Sequence, residues 1–143
     1  TWQSATFDTG TAGAYPSIAG IHKGVIIPNH TIVVKQMYTY PCAGTGGHAE
    51  YAAFYNVTAG IEMTNATWTG YREGDYHTIT FPEIFTLVAG HEYRYEIRTG
   101  SYPQIIHKQN CTTLDGSFIN CTSFVDVNGN DYDDWIPAIR LFP

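Results

Sequence analysis

The sequence predicts an all-β chain: an antiparallel, jelly-roll-like β-sandwich of about eight to ten strands, with little or no helix. Three observations predict it. Apolar residues recur with a period of two instead of the helical period of about 3.6. Clusters of Gly, Asn, Asp and Pro interrupt the chain at strand-length intervals, at 28–29, 44–47, 70–75, 89–90, 115–116 and 128–134. Aromatic residues reach 15% of the 143-residue chain while charged residues reach only 14%, well below the roughly 25% of an ordinary domain. Rings and β-branched side chains suit a pleated, half-buried surface.

The elements follow in chain order. The opening segment 1–20 is rich in Thr, Gly and Ala, with Trp2, Phe7, Tyr15 and Ile18 as its apolar anchors. It is either the first strand of its own domain or an arm that adds to a neighbour's sheet. Thr31–Tyr40 and Glu50–Val57 are β-branched or aromatic runs of strand length. In Tyr76–Phe81, His77, Ile79 and Phe81 alternate with Tyr76, Thr78 and Thr80. His91–Arg98 alternates most clearly, with Tyr93, Tyr95 and Ile97 on one side and Arg94, Glu96 and Arg98 on the other. Phe118–Val127 and Trp135–Phe142 complete the set. No composition break, linker or repeat divides the chain, so 1–143 reads as one domain.

Composition excludes several functions. Seven scattered Lys and Arg against 13 Asp and Glu give a net charge of −6. That leaves no basic footprint for nucleic acid and no cationic run for anionic lipid. The longest apolar run, Val25–Ile27, ends at Pro28, far short of a membrane span. With 43% hydrophobic residues the chain is not disordered.

Asparagines supply the solvation that charge does not. Five of seven stand in Asn-x-Ser/Thr sequons, at Asn29, Asn56, Asn65, Asn110 and Asn120. With 18 Thr and 5 Ser in 143 residues, 7 × 23/143 predicts about one by chance. The excess predicts covalent N-glycans on a secreted protein. A start at Thr1-Trp2-Gln3, with no basic or apolar leader, reads as a mature form whose signal peptide has been removed.

Sites of chemistry are sparse. Asp126, Asn128, Asn130, Asp131, Asp133 and Asp134 crowd oxygen ligands around Gly129, the donor type that Ca²⁺ takes from a tight loop. The spacing departs from an EF-hand, and a hairpin turn with Asn-Gly at its tip needs no metal. His22, His48, His77 and His107 lie in or beside turn-rich segments, and His48 and Glu50 stand two apart on one strand. They could hold Zn²⁺ or Cu²⁺ only with a third ligand brought from elsewhere; hydrogen-bonded structural histidines are the simpler reading. No nucleophile motif or phosphate cradle is present, so no catalytic residue is expected and the chain reads as a non-enzyme. The Tyr and Trp residues read first as packing and second as a platform for sugar.

Long stretches carry a resemblance. Tyr38-Thr-Tyr-Pro-Cys-Ala-Gly-Thr-Gly-Gly-His48, His77-Thr-Ile-Thr-Phe81, Thr99-Gly-Ser-Tyr-Pro-Gln-Ile-Ile-His107, Cys121-Thr-Ser-Phe124 and Trp135-Ile-Pro-Ala-Ile-Arg-Leu141, with shorter pieces at 6–10, 15–18 and 67–71, resemble a β-sandwich domain recurring in archaeal secreted and cell-surface proteins. The resemblance implies location and fold more than activity. Cys42 and Cys121 lie in the matching motifs and Cys111 between them, which implies a Cys42–Cys121 disulfide. That bridge would close a loop of about 80 residues, worth roughly 4–5 kcal/mol, against roughly 3 for the shorter Cys111–Cys121 loop.

The expectation is therefore an extracellular, N-glycosylated structural subunit. It would assemble with copies of itself into a filament or surface layer by addition of the 1–20 arm, with Ca²⁺ bracing the acidic loop. A carbohydrate-binding module of the cell surface is the alternative, and a secreted metal-site protein or enzyme a distant third.

Overall fold

The computed structural model describes residues 6–11, 17–58, 60–67 and 77–143. These residues form fourteen strands and no helix. In chain order they are β1 (Phe7–Asp8), β2 (Gly20–Ile27), β3 (Ile32–Thr39), β4 (His48–Asn56), β5 (Ile61–Thr67), β6 (Thr78–Leu87) and β7 (Tyr93–Gly100). There follow β8 (Ile105–Ile106), β9 (Asn110–Thr112), β10 (Phe118–Asn120), β11 (Ser123–Asp126), β12 (Asp131–Tyr132), β13 (Ile136–Pro137) and β14 (Ile139–Phe142). Six strands, β2 to β7, are seven residues or longer and the rest are four or fewer. The count exceeds the eight to ten expected because turns and jogs divide long apolar segments.

Two antiparallel sheets make the sandwich. The smaller has the order β1-β14-β3-β6; the larger runs β12-β11-β2-β7-β4-β5, with β10 also on β2 and β9 on β10. A short β13-β8 pair stands apart. One core lies between the sheets. Ile32, Val34, Met37, Phe81 and Leu87 point into it from the smaller sheet, and Ala52, Phe54, Tyr93, Tyr95 and Ile97 from the larger. Phe54 crosses the gap directly, its ring 5.8 Å from Phe81 and 5.6 Å from Phe85, at distances where edge and tilted ring pairs are favourable.

Alternation places the predicted strands well. Tyr93, Tyr95 and Ile97 are buried while Arg94, Glu96 and Arg98 are exposed. The buried phenols are satisfied: Tyr95 donates to the Asn120 carbonyl at 2.7 Å, and Tyr93 accepts from the Val88 amide at 2.7 Å.

Two predicted strands break. Phe118–Val127 divides into β10 and β11 because the chain jogs at Cys121-Thr122. There Cys121 N bonds the Gln109 carbonyl while Thr122 N bonds the Lys23 carbonyl. Trp135–Phe142 divides at Ala138, whose amide leaves β13 for the Gln104 carbonyl.

Two long strands are not foreseen. The inward face of β2 carries Gly20, His22, Gly24 and Ile26, two glycines and a histidine that show no apolar alternation. The glycines are there for close approach. A Cβ on Gly24 would fall on the Asn120 carbonyl oxygen and 2.7 Å from the Tyr95 hydroxyl. The edge strand β5, Ile-Glu-Met-Thr-Asn-Ala-Thr, buries only Ala66, so its sequence carries no core signal.

Gly24→Ala should therefore push β10 off β2 and destabilise the domain by about 1–3 kcal/mol. Chemical unfolding checks this.

Candidate functional site

The most featured surface is the outer face of the larger sheet. Because β4 turns Ala52, Phe54 and Asn56 inward, Tyr51, Ala53 and Tyr55 must face out. Register aligns their neighbours in rows: Tyr51 with Arg98 and Thr67, Ala53 with Glu96 and Asn65, and Tyr55 with Arg94 and Glu62. On the far side of β7, Lys23 pairs with Glu96. Ala53 is a notch between two rings, and a groove of about 270 Å³ opens there, walled by Tyr51, Tyr55, Glu62, Arg94, Glu96 and Lys23.

Its electrostatics are balanced. Lys23 Nζ lies 3.9 Å from Glu96 Oε1, and the Arg94 guanidinium sits 5.8 Å from the Tyr55 ring centre. Solvated pairs of this sort contribute little to stability, about 0–1 kcal/mol each. What they provide is a rim of donors and acceptors around aromatic faces. That combination suits a neutral polar ring such as a sugar, which offers hydroxyls at its edge and C–H bonds on its face.

His48 and Glu50 are brought together at one end of this face. A bulge between Ala49 and Tyr51 takes Glu50 out of register, and its carboxylate reaches His48 Nε2 at 3.6 Å and Arg98 Nε at 3.5 Å. Gly100 makes room, since a Cβ there would meet His48 Cε1 at 2.6 Å. The third member of the cluster is a guanidinium, which cannot ligate a metal. His77 points its Nδ1 to the Gly47 carbonyl at 2.6 Å, a structural role.

His22 is structural too. It is fully buried, its ring tilted against Phe124 with centroids 4.1 Å apart, and it donates Nδ1–H to the Trp135 carbonyl at 3.0 Å. Burial drives its pKa down to about 3 against the small opposing effect of that hydrogen bond. The imidazole is neutral at every physiological pH. His107 meets Trp135 edge-on at 4.8 Å.

The acidic segment folds as the Asn-Gly hairpin. Gly129 takes φ +87°, and Asp126 accepts the backbone amides of Asn128 at 2.9 Å and Asn130 at 3.0 Å on one oxygen and the Asn130 side chain at 3.2 Å on the other. Desolvation alone would raise the Asp126 pKa, but the Asn130, Asn128 and Gly129 donors outweigh it and hold the carboxyl below its usual range. Asp131 receives the Ser123 hydroxyl at 3.2 Å, and Asp133 the Gln109 amide at 3.4 Å. The carboxylates of this segment thus serve the hairpin and its neighbours. Among the described residues no group of three His, Cys, Asp or Glu side chains converges as a metal site.

The expected Cys42–Cys121 bridge is a correction: no cysteine pair stands at disulfide distance, and all three remain thiols. Cys42 lies after β3, its Sγ 3.6 Å from the Pro103 carbonyl. Cys121 sits at the β10–β11 jog in the other sheet, where burial raises its pKa despite backbone hydrogen bonds to Trp135 and Ser123. Cys111, on β9, is the direct rung partner of Ile119 on β10.

The sequon asparagines differ in environment. Asn29, Asn65 and Asn110 are exposed. Asn120 is half-buried and gives its side-chain oxygen to the Val25 amide at 2.8 Å. Asn56 ends β4 on the inward side and is only 8% exposed. Asn110 and Asn120 are direct partners on one rung of the β9–β10 hairpin, with Cβ atoms about 4.5–5.5 Å apart. Of the arm anchors, Phe7 is fully buried on β1, paired with Leu141 of the same chain. Trp2 and Tyr15 lie outside the described residues. Compared with known proteins, the chain matches no family model and no curated protein.

Two outcomes are expected. Mass spectrometry of glycopeptides should find Asn56 bare in folded protein, and the tryptic peptide 109–140 modified at Asn110 or Asn120 but never both, because two glycans on one rung collide. Second, the folded pKa of His22, about 3, lies below its unfolded value of 6.5. The stability tied to its neutrality is therefore complete above pH 6.5 and is lost as pH falls, by up to about 1.4 kcal/mol per pH unit. His22→Phe should flatten the stability profile between pH 6.5 and 4.5, read by urea unfolding.

Proposed function

We propose that this chain is a non-enzymatic, extracellular structural glycoprotein, a subunit that joins copies of itself into a filament or surface layer by strand addition through its 1–20 segment. The observation that carries the reading is how differently the sheet edges are finished. A bare edge strand invites pairing with another chain, and β-proteins blunt such edges. On the larger sheet, the edge strands β5 and β9 each bear an exposed sequon asparagine, Asn65 and Asn110, and β12 is two residues long. On the smaller sheet, β6 is interrupted by the exposed Pro82-Glu83-Ile84 bulge. The remaining edge belongs to β14, covered by β1 over only two rungs.

That cover has the form of an exchangeable part. Phe7 is buried, Asp8 accepts the Tyr40 hydroxyl at 2.7 Å, and Thr9 exchanges hydrogen bonds with Ile139 at 3.0 and 3.1 Å. Burial and the Asp8 hydrogen bond and charge push the Tyr40 pKa up to about 12, so the phenol stays protonated as a donor. Everything the β14 edge needs is contained in residues 7–9, and the same residues of a second copy offer the same contacts. Glycans on the larger sheet would leave this edge as the place where copies meet, and head-to-tail addition at a single edge produces a one-dimensional polymer when its rotation does not close into a ring.

The groove of Tyr51, Ala53 and Tyr55 supports the second reading, a sugar-binding module. Its rim of Lys23, Glu62, Arg94 and Glu96 has the donor and acceptor mix that a saccharide uses.

Deletion of residues 1–10 separates the readings. Electron microscopy should show wild-type polymers and only unassembled subunits after the deletion, with a synthetic 1–10 peptide restoring the stability lost at the β14 edge. Polymers that persist without residues 1–10 would sink strand addition, and binding on a glycan array would favour the module.

A further inference from the structure

We infer that the Tyr51–Tyr55 groove is the seat of the saccharide attached to Asn65 of the same chain. The inference rests on the reading of Asn65 as a glycosylated residue and adds to it where the glycan lies. Asn65 is the direct cross-strand partner of Ala53, so its side chain leaves the sheet on the outer face, about 4.5–5.5 Å from the Ala53 Cβ. Ala53 is the floor of the groove, with Tyr51 and Tyr55 two residues to either side. A sugar ring on Asn65 Nδ2 therefore begins at the groove's edge.

A local contact orients the Asn65 amide. Asn65 Nδ2 donates to Glu62 Oε1 at 2.7 Å, and Glu62 is itself part of the groove wall. That hydrogen bond fixes the amide plane and commits one Nδ2 hydrogen to the Glu62–Tyr55 rung, so the sugar takes the other Nδ2 position, on the side of the outer face that Glu62 does not occupy. After N-glycosylation Nδ2 keeps one hydrogen, so the Glu62 contact survives. A pyranose ring presents an apolar C–H face that can lie on a tyrosine ring, and hydroxyls that can reach Glu96, Arg94 and Lys23. The groove volume of about 270 Å³ is at the small end of ligand clefts, a fit for the first sugar or two of a chain. Ala53 itself matters: any larger residue on that rung would fill the space the sugar needs. A glycan seated this way is part of the folded surface and lies over β5, β4 and β7, inward from the free edge of the sheet.

An external sugar and a glycan from a second copy are the competing occupants. The test uses glycoprotein from the secreting cells and the Thr67→Ala variant, which removes the Asn65 sequon and keeps the asparagine. Tyr55→Ala, at a position that shares no rung with Thr67, is made in both backgrounds, with Asn65 occupancy measured by peptide mass. The expected result is occupied Asn65 in wild type, and a tyrosine substitution that raises the unfolding constant at least about threefold more with the glycan than without it. Nitration of Tyr51 and Tyr55 should also be slower in wild type than in Thr67→Ala, a readout that needs no tyrosine substitution. Occupied Asn65 with additive effects and equal nitration overturns the seat alone and leaves glycosylation standing. An Asn65 unmodified in all copies overturns both the seat and the glycan at that site.

Discussion

The contact on which the rest depends is the ring of Phe54 set between the two sheets against Phe81 and Phe85. Burying a ring of this size removes about 150–250 Å² from water, and here it joins the two layers at one place. Strand geometry then leaves no freedom. With Phe54 inward, Ala52 and Asn56 go inward with it, and Tyr51, Ala53 and Tyr55 go outward. The polar, ring-walled outer face is thus the other side of the core contact. The same alternation on β7 buries Tyr93, Tyr95 and Ile97 and lines up Arg94, Glu96 and Arg98 beside the tyrosines.

A second constraint operates at β2. Its inward face has little apolar bulk, so neighbouring parts of the chain come close enough to fill the space. Tyr95 reaches across to the Asn120 carbonyl above Gly24, and His22 packs tilted against Phe124 and bonds the Trp135 carbonyl. Phe124, Trp135 and Tyr132 continue the stack, with Tyr132 and Trp135 4.1 Å apart. Rings that looked available for a sugar platform are here packing one another. The histidine is held neutral because a buried imidazole with one carbonyl partner has nothing to balance a positive charge.

Glycan positions and strand edges belong to one description. Asn65 and Asn110 lie on the edge strands β5 and β9 of the larger sheet, where an unpaired backbone most needs a guard. The proposed arm acts at the opposite layer, where β1 covers β14. In the proposed picture the net charge of −6 matters little, because sugars on the sequons and short edges would exclude wrong neighbours in place of charge repulsion.

The sequence by itself determined the all-β class, the existence of β3 and β4, and the buried faces of β7 and of β6 up to Phe81, since period-two alternation is a local property of the chain. It also determined which asparagines are sequons, because that motif spans three residues. Tertiary structure decided the rest. It made a strand of β2, whose glycines and His22 are chosen by the approach of Asn120, Tyr95 and Phe124 and not by apolar period. It kept Cys42 and Cys121 apart, because the β10–β11 jog lies in the other sheet from the end of β3. It turned the acidic run into a hairpin, because Asp126 is buried against the amides of its own turn. It also set Asn110 against Asn120 and Asn65 against Ala53. Register between strands distant in sequence depends on which faces pack together, and no local pattern encodes it.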